Sequence, residues 1–264
     1  MAFRLWVAAL IAVSFAQNSF AAVLFDENYT GSNYQPLTPT GVIDFGEGNF
    51  VYKNPATLTT VGSTSLWQFQ TKVDGVIFDN GNIGFTFPGE ITIQAGVTQV
   101  VTGVNGNEFS LGLGSFGPST TNFFNMYYDP TPPLGNSNLP AGTGFNDGTL
   151  ILSGYFTGLS HTADPTNTFT QPGTFLADVR ITFVDPLAFQ NTAGFKLTLD
   201  GASWFPPQLP NSAAILGVPV GPGDVKGSVD FSAQFAVIPE ANSMLLLGIG
   251  LTLGGLVSLR TRQR

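Results

Sequence analysis

Trp67-Gln68-Phe69-Gln70-Thr71-Lys72-Val73 sets large or branched side chains on one face of an extended chain and Gln, Gln and Lys on the other. Val229-Asp230-Phe231-Ser232-Ala233-Gln234-Phe235-Ala236-Val237 repeats the pattern over nine residues. A period of two marks half-buried strands of an antiparallel sheet. Working outward, further strands are predicted over residues 83–87, 91–102, 108–113, 123–128, 149–157, 174–183 and 195–199. The dipeptides Asp74-Gly75, Asn80-Gly81, Asn105-Gly106, Asp147-Gly148 and Asp200-Gly201 read as the turns around them. Between the two chain ends no stretch keeps helical periodicity for three turns, so crossover helices are not expected. The fold predicted is an all-β antiparallel sandwich or jelly-roll-like domain over residues 22–237, with residues 129–147 and 201–224 as long surface loops.

Composition narrows the chemistry. Only 10% of the 264 residues are charged, against 43% hydrophobic and 12% aromatic, which is enough apolar surface for a core. Nine Lys and Arg against 17 Asp and Glu leave no basic stripe for phosphates, so no nucleic-acid partner is expected. Cysteine is absent and histidine occurs once, which removes disulfides, thiolate metal sites and a cysteine nucleophile.

The two ends read as addresses. Arg4, the apolar run over residues 5–15 and the small residues Ser19, Ala21 and Ala22 have the form of a secretory signal for the Sec machinery, with cleavage expected after Ala21 or Ala22. At the other end, residues 241–259 are uncharged and apolar, and as a helix they would reach about 28 Å against a hydrocarbon core of about 30 Å. Arg260, Arg262 and Arg264 follow directly and would stay on the cytoplasmic side of the inner membrane. Without these segments, residues 22–239 hold 5 cations and 16 acids, a net charge of −11.

Ile238-Pro239-Glu240-Ala241, the apolar stretch and the terminal arginines, on a chain with a signal peptide, resemble the PEP-CTERM sorting region of exported proteins in Gram-negative bacteria. Ala241 stands where that motif has its second proline. The resemblance implies processing by an exosortase near Pro239 and Glu240. Asn125-Met126-Tyr127-Tyr128-Asp129, with Gly142-Thr143-Gly144-Phe145-Asn146-Asp147-Gly148-Thr149-Leu150-Ile151-Leu152, is similar to the segment shared by flocculation-associated PEP-CTERM proteins. That likeness implies a surface or matrix role with extracellular polysaccharide and names no catalytic residue.

The candidate chemistry is sparse. Gly112-Leu113-Gly114-Ser115-Phe116-Gly117 matches G-x-G-x-x-G, but Pro118-Ser119-Thr120-Thr121 follows where a dinucleotide site needs a helix, so a glycine-rich turn is expected. His161, within Ser160-His161-Thr162-Ala163-Asp164-Pro165, reads as an exposed loop histidine. Asp129 beside Tyr127-Tyr128, and Asp200 near Trp204, are the acids to consider for carboxylate-pair hydrolysis. Asp79-Asn80-Gly81-Asn82 and Asn146-Asp147 offer oxygens of the kind calcium takes, and turn chemistry is the first reading of both. The expectation is a non-enzymatic exported protein with no required cofactor. A carbohydrate-active enzyme and a calcium-dependent carbohydrate-binding module are the alternatives.

Overall fold

The computed structural model describes residues 22–53, 60–84, 89–130, 136–164, 173–204 and 214–238. Within them the chain is all-β, with no helix. The strands are β1 (Leu24–Phe25), β2 (Gln35–Pro36), β3 (Val42–Lys53), β4 (Thr64–Ile77), β5 (Ile83–Gly84), β6 (Glu90–Asn105), β7 (Glu108–Leu113) and β8 (Asn122–Asp129). They continue as β9 (Thr149–Ala163), β10 (Gly173–Val184), β11 (Phe189–Gln190), β12 (Phe195–Trp204), β13 (Ala214–Ile215), β14 (Val218–Pro219) and β15 (Val225–Val237).

The architecture is a closed antiparallel barrel of eight strand positions, not the expected sandwich. Around the ring run β3, β4, β6, a position shared by β7 and β8, then β9, β10, β12 and β15. Two pairings close it: β15 returns to β3, from Val225↔Tyr52 to Ala233↔Ile43, and β4 joins β6, from Thr64↔Val100 to Lys72↔Thr92. A sandwich would leave two separate sheets with free edges. Here one sheet meets itself, and alternation then separates an inside from an outside.

The inside is aromatic. Phe45 lies tilted against Phe231 at 4.6 Å, Phe231 meets Phe69 edge-on at 5.4 Å, and Phe69 meets Trp67 at 4.6 Å. The outside carries charged residues such as Lys72, Asp74, Asp200 and Asp230. This is the inverse of a barrel that spans a membrane with its strands, where the apolar face is outermost.

Gly201 is the point where a turn was expected and a strand runs through. In register it lies between Phe175 of β10 and Phe231 of β15. A Cβ there would fall 2.3 Å from the Phe231 Cβ, and without one the two rings approach to 5.5 Å. Asp74-Gly75 likewise lies within β4, at a register shift opposite Asp44 and Phe45. Asn105-Gly106 is a turn as expected: Asn105 pairs with Glu108, and Gly106 takes a φ of 62° between them.

The described parts of the two long loops are not free surface segments. Val51, Phe145 and Ile215 are fully buried on the outer wall, apart from the main core. Leu139 O accepts from Asn49 Nδ2, Phe145 O accepts from Thr92 Oγ1, and Leu216 N donates to Gln70 Oε1. Gly142 approaches so closely that a Cβ would meet the Ala214 carbonyl, so the two coverings pack together on β3, β4 and β6.

β7 and β8 are one descending strand broken in the middle. β7 pairs with the upper part of β9 (Gly112↔Ser160) and β8 with its lower part (Phe124↔Gly154). Asn122 fills the gap from its fully buried position. Its Nδ2 donates to Phe156 O and Ser115 O, both at 3.1 Å, and its Oδ1 accepts from Phe156 N at 2.8 Å. The carboxamide thus replaces the missing backbone pair. Asn122→Ala leaves the Phe156 amide and carbonyl buried without that partner, and urea denaturation is expected to register a loss of about 2–5 kcal/mol. A loss below about 1 kcal/mol would show that the gap closes by other means.

Candidate functional site

Leu159-Ser160-His161-Thr162-Ala163 ends β9, and its local alternation sends His161 inward with Leu159 and Ala163. This corrects the expectation of an exposed loop histidine: His161 is 1% exposed. It meets Tyr52 from β3, Trp67 from β4, Gln99 from β6, Phe175 from β10 and Ser203 from β12, near the end of the barrel where β3 finishes and β4 begins. Averaged polarity around residue 161 hides this position. The usable signal is local, the alternation of Leu159, His161 and Ala163, because β9 bulges between Phe156 and Gly158 and the inward phase of Gly154 and Phe156 does not carry through.

His161 Nδ1 lies 3.0 Å from both Tyr52 Oη and Gln99 Nε2, and its Nε2 lies 2.9 Å from Ser203 Oγ. An amide nitrogen only donates, so with Gln99 in this orientation Nδ1 is the acceptor. The proton then sits on Nε2, which donates to Ser203. The imidazole also packs against Trp67 at 4.8 Å. Burial pushes the His161 pKa from 6.5 down to about 3 and holds the Tyr52 hydroxyl well above its ordinary range. Trp67 Nε1 and Gln99 Oε1 are buried without a hydrogen-bond partner among the described residues.

A serine 2.9 Å from a histidine has the spacing of a nucleophile and its base, but the setting opposes that use. A base with a pKa near 3 takes up protons weakly at neutral pH, and Ser203 is fully buried. What the arrangement does is tie β3, β6, β9 and β12 together across the inside of the barrel.

The expected acids do not converge. Asp129 ends β8 and Asp200 lies on β12, with β9 and β10 between them. Three inter-strand steps of about 4.8 Å put them roughly 14 Å apart before any offset along the barrel, beyond the roughly 5–9.5 Å of paired glycosidase carboxylates. Asp129 instead faces Glu90 across β6 and β8, and Glu90 accepts from the Ser137 amide and hydroxyl.

The side-chain oxygens of both calcium candidates accept hydrogen bonds from the protein, one within the turn and the others from neighbouring segments. Asp79 accepts from Thr40, Asn80 accepts from the Asn82 amide, and Asp147 accepts from Asn136. Among the described residues no three His, Asp or Glu side chains group as metal ligands. Gly112 to Gly117 leaves β7 as a turn, with Gly117 at a φ of 83°.

Sequence reasoning missed an acidic group on the outer wall, formed where β3 bulges through Gly46-Glu47-Gly48. It gathers Asp44, Glu47, Asp74 and Asp230. Partial burial, then Asp74, raises the Asp44 pKa. Partial burial, then Asp44, Glu47 and Asp74, raises that of Asp230.

Of the address residues, the structure describes Ala22 and Ile238. Both are held by the turn that leads from β11 into β12: Asn191 Nδ2 donates to Ala22 O at 3.2 Å, and Ile238 N donates to Gly194 O at 2.8 Å. Ser19, Ala21, Pro239, Glu240, Ala241, Arg260, Arg262 and Arg264, with the expected transmembrane helix 241–259, lie outside the described residues. No family model, no curated protein and no solved structure matches the chain.

Two outcomes are expected. The His161 pKa is lower in the folded than in the unfolded chain, so the unfolded chain binds more protons between about pH 6.5 and pH 3. The stability it confers is complete above that window and is lost as pH falls through it. Urea denaturation should lose up to about 1.4 kcal/mol per unit between pH 6 and 5, and His161→Gln should flatten that slope. Equal slopes would mean that His161 is protonated without opening the barrel. The raised Asp230 pKa has the opposite sign: its stabilising share is present at low pH and lost as pH rises. Asp230→Asn should therefore raise Tm by about 1–3 °C at neutral pH, with the gain fading near pH 3 and in about 0.5 M salt. An unchanged or lower Tm at neutral pH would refute the repulsion.

Proposed function

We propose that this chain is an exported, non-enzymatic surface or matrix protein, sorted by an exosortase through its C-terminal tail and contributing to exopolysaccharide-dependent biofilm or floc formation. The observation that carries the reading is the junction at one turn: Ala22, beside the expected signal cleavage, and Ile238, the first residue of the sorting motif, are both bonded to residues 191–194. A body delivered by one segment and sorted by the other can keep both accessible at one end while the rest of the barrel points away. The order of motif, apolar stretch and arginines supports the tail's role. The sealed aromatic interior and the acidic outer wall support a role played by surfaces.

A strain lacking the chain is expected to lose flocculation and matrix-bound polysaccharide. Restoring it with both Pro239→Ala and Glu240→Ala should leave uncleaved protein in the inner membrane and flocs unrestored. Wild-type flocculation in the deletion strain would sink the matrix role, and normal release of the double variant would sink exosortase sorting.

A further inference from the structure

The base of the barrel is the end at which β3, β6, β9 and β12 begin and β4, β8, β10 and β15 finish. Six of the eleven exposed large apolar residues among the described residues lie there, whereas Val61, Val104, Phe116, Leu176 and Val218 are scattered elsewhere. Ile77 and Ile83 face each other across β4 and β5, Phe183 lies near the end of β10, Leu187 follows in the turn, and Val237 and Ile238 end the described chain. All six are between 37% and 54% exposed. They occupy the base of the half-ring β10, β12, β15, β3 and β4, and β15, from which the tail leaves, is the middle strand of that arc. On the opposite half, the base of β6 and β8 carries Glu90 and Asp129.

We infer that this apolar arc is seated in the headgroup layer of the bilayer that the tail enters, with the barrel tilted onto it. The inference rests on the reading of residues 241–259 as a membrane span. Only Pro239 and Glu240 separate Ile238 from Ala241. Three residue steps reach at most about 11 Å. The headgroup zone on each side of the hydrocarbon is itself about 5–8 Å deep. A tail inserted at Ala241 therefore holds Ile238 within the headgroup zone or at most about 3–6 Å above it, whatever the base is made of. Polar residues there would change little, whereas Ile, Leu, Val and Phe gain by leaving water.

Electrostatics is not the source of this contact: residues 22–239 carry a net charge of −11, and the exposed Arg180 of β10 is one cation against that excess. Lys196, near the start of β12, is paired with Asp178 at 2.6 Å. Asp185 accepts from the Tyr29 hydroxyl and the Leu187 amide, and Asp79 accepts from Thr40, so these acids are engaged within the protein. The occupant is a lipid surface taken up through apolar side chains, without a requirement for anionic lipid.

The chain has no cysteine, so single labels are clean. The full chain, expressed in a bacterium without exosortase, is purified with Ile83→Cys, Leu187→Cys, Val61→Cys, Val104→Cys or Leu251→Cys and labelled with an environment-sensitive fluorophore. Each is reconstituted into phosphatidylcholine bilayers carrying a shallow spin-labelled quencher lipid, except that the label at 251, about 15 Å into the span, is read against a lipid spin-labelled deep in its acyl chain. Labels at positions 83 and 187 should be blue-shifted and quenched at least about threefold more than those at 61 and 104, which lie at the other end of the barrel. Replacing half of the lipid by phosphatidylglycerol should not raise the quenching. If the label at 251 is quenched but those at 83 and 187 match 61 and 104, the seating is overturned and the spanning tail stands. If the label at 251 is not quenched, the spanning tail fails and the seating loses its tether.

Discussion

The pairing of β15 with β3 is the constraint on which the rest of this molecule depends. It joins the first and last long strands, separated by most of the domain, from Val225↔Tyr52 to Ala233↔Ile43. Once that seam and the β4–β6 seam are formed, the principal sheet has no long free edge, and every long strand must divide its residues between a closed interior and a wall. The same seam fixes where the chain leaves. β3 starts and β15 ends at the base, so residues arriving from 22 and departing at 238 meet the same turn at Asn191 and Gly194.

An eight-position ring has room for side chains and little else, and this one is filled by Phe, Tyr and Trp. Filling to that density demands local exceptions. Gly201 gives up its side chain so that Phe175 and Phe231 can meet over it. Asn122 supplies hydrogen bonds where β7 and β8 fail to make a continuous strand. His161 is the third exception. Its two nitrogens connect three strands on one side and the other of the interior, and the aromatic packing that surrounds it keeps it neutral. Each exception is a polar or missing side chain whose cost is met by a specific neighbour.

These exceptions are also where the sequence misleads. Alternation in residues 67–73 and 229–237 locates β4 and β15, and six further predicted segments fall on strands, because side chains that face water and core in turn leave a visible period; of the seventh, 83–87, residues 83–84 form β5 and the rest lies outside the described residues. β3 leaves none. Gly46-Glu47-Gly48 bulges and shifts the register against both neighbours, so its apolar residues change phase midway. Asp74-Gly75 and Asp200-Gly201 have turn composition but owe their glycines to a register shift and to ring contact. Sandwich and barrel share one alternation, and the difference resides in which strands pair, a long-range matter that no local pattern encodes. The candidate site was legible only at its ends: Ala22 and Ile238 were marked by their flanking segments, whereas Tyr52, Gln99, His161 and Ser203 come together from four strands and share no motif.

Charge distribution gives the molecule two kinds of surface. Of the five cations between the addresses, Lys53 and Lys196 are committed to Asp224 and Asp178, while the acids outnumber them about threefold and crowd at Asp44, Glu47, Asp74 and Asp230. Such a wall repels anionic polymers and anionic lipid alike at low ionic strength, so any polysaccharide it meets has to be neutral or bridged by cations. At the base the apolar side chains escape this restriction, because burial of hydrocarbon is indifferent to sign. Under the proposed function, which holds one end to a membrane and the other in a matrix, that division is of use. Here it follows from strand direction alone: the seam that closes the barrel delivers both chain ends, and the apolar residues beside them, to the same rim.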